Sequence, residues 1–64
     1  MKKRILEKHL HRNGCAFYHA GKEHDMWINL TTLVQDAVPR HKEIKTGTAR
    51  SICKQLGIPL PPGK

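Results

Sequence analysis

Apolar residues along the chain fall first into helical spacing, then into three short runs, then into helical spacing again. Ile5, Leu6, His9, Leu10 and Asn13 recur at i, i+1, i+4, i+5 and i+8, one face of a helix predicted over residues 2–13. Gly14 stands where a left-handed residue ends a helix, and His11 and Arg12 suit the negative end of its dipole. Three strands are predicted next. Cys15–Ala20 lies between Gly14 and Gly21, Gly21-Lys22-Glu23 reads as a turn, and residues 24–30 carry Met26, Trp27 and Ile28 at their centre. Thr31-Thr32 connects to a third strand over residues 33–38, stopped by Pro39. Thr46 is the expected N-cap of a second helix, with Ala49, Ile52, Cys53 and Leu56 at i, i+3, i+4 and i+7 and Gly57 at its end.

Helix, three strands, helix predicts an α+β domain with both helices on one face of a three-stranded antiparallel sheet. That is the arrangement of the double-stranded-RNA-binding domain. A single domain is expected over residues 1–58, followed by a proline-rich tail over residues 59–64. Strand parity puts Met26, Ile28 and Leu30 on one face with His24, and Asp25, Trp27 and Asn29 on the other. With Trp27 in the core, Met26 and Ile28 form an apolar patch beside His24 of the kind that marks a protein interface. With Met26 and Ile28 in the core, Trp27 is exposed and His24 must escape at the strand's end. Parity alone does not choose.

Size and charge narrow the function. A chain of 64 residues buries about 60% of its unfolded surface, which leaves no room for a separate cofactor domain. Lys and Arg number 12 against 5 Asp and Glu, a net charge of +7, which favours a polyanionic partner, either nucleic acid or an acidic protein. No apolar run approaches the roughly 18 residues of a membrane span. The basic start Met1-Lys2-Lys3-Arg4 leads into no secretory apolar segment, so a soluble cytoplasmic domain is expected. In that setting Cys15 and Cys53 are expected as buried free thiols. No Cys-x-x-Cys or His-x₃-His pair occurs, and His9 and His11 lie roughly 200° apart around a helix. Neither a metal nor a cofactor is expected.

His24 is the residue with chemistry in reach. It follows a glycine turn between Lys22, Glu23 and Asp25, where a carboxylate could orient its ring. A lone histidine in a turn is most often inert. The basic chain and the run Arg40-His41-Lys42 weigh the other way. RNA carries its own nucleophile in the 2′-hydroxyl, so one proton acceptor with cations to hold the phosphate suffices for cleavage. His41 is either an acid partner to His24 or part of a solvated loop. Lys2, Lys3, Arg4, Lys8 and Arg12 supply a diffuse attracting field. Tyr18 and Trp27 are either base-stacking residues or ordinary sheet aromatics.

The stretch Gly21-Lys22-Glu23-His24-Asp25-Met26-Trp27-Ile28-Asn29 resembles the glycine-turn, histidine, aromatic-strand motif of the HicA toxins. Ala37-Val38-Pro39-Arg40-His41-Lys42 and the following Thr46-Gly47-Thr48, through Ile58, resemble that family's Val-Pro, basic-loop, Gly-Thr and second-helix signature. With the Asn13-Gly14 helix end, the resemblance spans residues 6–58. It implies a double-stranded-RNA-binding-domain-like fold and metal-independent endoribonuclease activity on mRNA, with a single catalytic histidine at His24. It further implies that Gly21 lets backbone approach RNA, and that a HicB antitoxin covers the toxin in a hetero-oligomer. Glu23 departs from the pattern, since many relatives carry Gly, Ser or Asn before the histidine. A carboxylate there repels the scissile phosphate unless it points away or orients His24.

The leading expectation is a ribonuclease toxin with His24 as general base and acid by turns, leaving a 2′,3′-cyclic phosphate. Gly21, Lys22, Arg40, His41 and Lys42 are its expected RNA contacts. A non-catalytic RNA-binding module is the alternative, and it predicts salt-dependent binding indifferent to His24. A small interaction subunit whose charge serves only an acidic protein is the third.

Overall fold

Leu6 and Leu10, one helical turn apart, are fully buried, and so are Ala49, Cys53 and Leu56 on the second helical stripe. Both stripes converge on one core with Cys15, Trp27, Val38 and Ile44, so the two helices share one face of the sheet. The computed structural model describes residues 1–61 in the order α1 (Lys3–Arg12), β1 (Cys15–Ala20), β2 (His24–Asn29), β3 (Gln35–Pro39) and α2 (Thr46–Leu56). The strands form one antiparallel sheet in the order β1-β2-β3. This is the expected α+β arrangement. Of the predicted tail, residues 59–61 are neither helix nor strand, and the Pro59 carbonyl accepts a hydrogen bond from the His9 ring at 2.8 Å. Residues 62–64 lie outside the described part.

Boundaries shift where backbone bonds compete with periodicity. Lys2 is not helical as predicted but forms an antiparallel bridge with Glu43. The Lys3 N–H donates to the Lys42 carbonyl at 2.8 Å, and the Ile44 N–H to the Met1 carbonyl at 2.7 Å. The third strand begins at Gln35, not residue 33, because Leu33 adopts a left-handed φ of 66°. Its N–H donates to the Asn29 carbonyl, closing a five-residue loop between β2 and β3. Pro39 does not lie beyond the strand as predicted but is its last residue, paired with His24. On an edge strand its missing N–H costs nothing. Thr46 is the first helical residue, while Lys45 occupies the N-cap without a side-chain bond. At the other end Gly57 takes φ 73°, and the Ile58 N–H reaches back to the Cys53 carbonyl at 3.0 Å.

Trp27 decides the parity question. It is 3% exposed and faces the helices, with Phe17 and Asp36 as cross-strand neighbours. His24, Met26 and Ile28 therefore occupy the open face. A bulge at Tyr18 shifts the β1 register so that His19 pairs with Met26.

Asn29, 5% exposed, is the buried polar side chain among the described residues. Its Nδ2 donates to the Leu56 carbonyl at 2.7 Å, satisfying a helix-end acceptor that has no partner within α2. Its Oδ1 accepts from the Thr31 and Thr32 amides at 2.9 and 3.3 Å. One side chain thus joins the sheet, the loop and the end of α2. Asn29→Ala leaves the Leu56 carbonyl buried without that donor. The variant is expected to lose about 2–4 kcal/mol of stability, measured by urea unfolding followed through the fluorescence of the single tryptophan, Trp27.

Candidate functional site

His24 opens β2, and its side chain is exposed on the uncovered face. Its backbone carbonyl accepts the Gly21 N–H at 2.8 Å, which folds the β1–β2 turn back onto the strand. A Cβ on Gly21 would lie 2.6 Å from that carbonyl oxygen. Glycine is required here by close backbone approach within the protein, not by a left-handed φ. Gly21, Lys22, Glu23, His24, Met26 and Ala37 line a shallow depression of about 340 Å³. The His24 imidazole has no hydrogen-bond partner among the described residues, which leaves both ring nitrogens open to a ligand.

Arg40, expected to hold phosphate, is hydrogen-bonded within the protein. Its Nε donates to Asp25 Oδ1 at 2.9 Å, and its terminal nitrogens donate to the Gly21 and Lys22 carbonyls. Lys3 reaches the other oxygen of Asp25 at 3.2 Å and pairs with Glu7 at 3.0 Å. The Arg40 bond first, with Lys3 assisting and partial burial opposing, holds the Asp25 carboxyl below its ordinary range. The bond to Glu7, with Asp25 adding to it against partial burial, raises Lys3. Asp25 thus faces away from the His24 ring and fixes the turn that carries it. Lys22 and Glu23 are exposed at the rim of the depression.

The other expected residues disperse. His41 and Lys42 are exposed after β3, and Lys42 lines a second hollow with Arg40 on its wall. Trp27 is packed edge-on by His11 at 5.2 Å and Phe17 at 6.4 Å between ring centroids, so it offers no face to a base. Tyr18, 54% exposed, keeps that possibility, with the His19 ring 5.2 Å away. Strand alternation gives no sign of His19, because the bulge reverses parity after Phe17. Both cysteines are free and buried as expected. Burial, with Cys15 adjacent, pushes the Cys53 thiol up to about 11, and burial also raises Cys15, so neither is poised as a nucleophile. Among the described residues no three His, Cys, Asp or Glu side chains are placed to hold a metal ion, and no helix is long and apolar enough to cross a membrane.

A family profile described as the HicA toxin of bacterial toxin-antitoxin systems matches residues 4–58 of the 64. The chain belongs to the HicA toxin family. No match was found among curated proteins or among solved structures. The HicA match takes in the glycine turn, all three strands, the basic segment after β3 and the whole of α2. In this HicA toxin the two motif segments meet through Arg40, which binds the glycine turn from the end of β3.

Two measurements check this geometry. Gly21→Ala is expected to cost about 1–3 kcal/mol, since the new methyl must displace backbone and not a flexible side chain; an unchanged urea midpoint would contradict the close approach. Asp25 contributes stability that is complete above its unfolded pKa of about 4 and is lost as pH falls through its lower folded value. Unfolding followed from pH 7 downward is therefore expected to show an acid-side loss of stability that Asp25→Asn flattens.

Proposed function

We propose that this HicA-family toxin is a metal-independent endoribonuclease that cleaves mRNA with His24 and is neutralised by a HicB-like antitoxin. The observation that carries the reading is an exposed imidazole with no protein partner, fixed at its backbone by the Gly21 bond and set beside Lys22 in one depression. In this reaction His24 takes the proton from the 2′-hydroxyl, and the 2′-oxygen attacks the adjacent phosphorus. The 5′-oxygen leaves with the proton returned by the imidazolium. The products are a 2′,3′-cyclic phosphate and a 5′-hydroxyl. Lys22 holds the non-bridging oxygens as negative charge builds on them.

Arg40 acts here as a positioning residue, with His41 and Lys42 contacting RNA beyond the cleaved bond. The Gly21 N–H is engaged by His24, so Gly21 serves by keeping the turn tight, which brings backbone close to the phosphate. Tyr18 is the aromatic in place to stack on a base. The open face supports the antitoxin. Half-buried Met26 lies beside His24, and Leu30, Leu33 and Val34 are exposed nearby in the chain, apolar side chains suited to a protein partner. A protein seated there excludes RNA from His24.

The test compares wild type with His24→Ala on single-stranded RNA in excess chelator. Wild type is expected to release cyclic-phosphate ends, and the variant to lose about 10²–10⁴-fold in rate while still binding RNA. Equal cleavage by both would remove His24 from the chemistry. Binding without cleavage by either would leave the non-catalytic RNA-binding module.

A further inference from the structure

A second hollow, of about 580 Å³, has Arg40 in its wall. It is built by pairing the chain's first residues with the segment after β3. Lys2 bridges Glu43, the Lys3 N–H donates to the Lys42 carbonyl, and the Met1 amine donates to the Ile44 carbonyl at 3.0 Å. Its wall is charged throughout, yet the charges do not cancel. Glu7 is neutralised by Lys3 at 3.0 Å and Glu43 by the terminal amine at 3.4 Å. Lys3 and Arg40 also share Asp25. Lys2, Arg4 and Lys42 remain, all exposed and with no ion-pair partner among the described residues. The first turn of α1 holds no acidic residue and its N-cap makes no side-chain bond, so the helix end adds to the positive field.

Two features choose the occupant. The lining contains no aromatic or aliphatic residue, whereas protein interfaces are anchored by buried apolar and aromatic side chains. A polymer recognised through repeated phosphates needs no such anchor. Arg40 also forms part of this wall while binding the Gly21 and Lys22 carbonyls beneath the His24 depression. Arg40 thus lines the second hollow while bonding to two of the residues that line the first. We propose that Lys2, Arg4 and Lys42 form a phosphate-binding cleft for the RNA flanking the cleaved bond. This rests on the ribonuclease reading above.

The test uses full-length protein carrying His24→Ala, so that RNA stays intact, with and without Lys2→Gln, Arg4→Gln and Lys42→Gln together. These side chains are exposed, and the bonds their residues make are backbone bonds, which the substitutions leave in place. Binding of a labelled single-stranded oligouridylate is measured between 50 and 200 mM salt. Each phosphate contact contributes a slope of about 0.7 in log affinity against log salt, so the triple variant is expected to lose about 2 from the slope. A fourfold rise in salt then costs the variant about 16-fold less affinity than it costs the parent. An unchanged slope and affinity, with wild type still cutting RNA, overturns the cleft and leaves the ribonuclease reading standing. Wild type that neither binds nor cuts RNA overturns both. An unchanged RNA slope with lost binding to polyglutamate assigns the cleft to an acidic protein and overturns the proposal.

Discussion

The Asp25 carboxylate holds together the parts that surround His24. One oxygen takes Lys3 from α1 and the other takes Arg40 from the end of β3. Through Arg40 it also secures the carbonyls of the β1–β2 turn. Exposed ion pairs contribute about 0–1 kcal/mol, and charge-assisted bonds shielded from water contribute about 1.5–3 kcal/mol. Asp25 is 16% exposed and Arg40 43%, so the pair belongs between those ranges. Its larger effect is geometric. Three segments distant in sequence are referred to one carboxylate, and the histidine follows from where they meet.

Burial of Trp27 is the second constraint, and it has a cost. Its Nε1 is buried without a hydrogen-bond partner, a loss of about 1–3 kcal/mol by the usual penalty for such a donor. Burial of a large aromatic offsets that penalty, with edge contacts from His11 and Phe17 adding to it. Once Trp27 turns inward, alternation sends Asp25 inward at the strand's start and His24 outward. The clamp and the exposed imidazole are thus adjacent residues of one strand, separated only by the pleat.

Periodicity made the two helices and three strands legible, because Leu6 with Leu10, and Ala49 with Leu56, mark faces that only one core can absorb. The inward face of β2 was not legible, since both faces carry large apolar residues and parity treats them alike. Local competition moved the edges. Leu33 leaves the strand because its left-handed backbone closes the loop on Asn29, and Thr46 enters the helix because Lys45 takes the cap position. The HicA motif marks His24 and its glycine turn by spacing, and carries no sign of the contacts that Arg40 makes. A basic residue after Val-Pro suggests a phosphate contact, and its bond to Asp25, 15 residues earlier, has no mark in the spacing. Asn29 and the Tyr18 bulge left no signal in composition or spacing, because their roles depend on partners across the fold.

The net charge of +7 therefore does not describe a uniform field. Lys3 and Arg40 are internal to the architecture, while Lys22 at the first hollow, and Lys2, Arg4 and Lys42 at the second, remain open to solvent. That partition separates the charges that build the fold from those left open to a ligand. Ordering a turn needs fixed charges with defined partners, and holding a substrate needs cations without them. Arg40 joins the two regions, since it lines the hollow of Lys2, Arg4 and Lys42 while its bond to Asp25 sets the guanidinium that holds the turn.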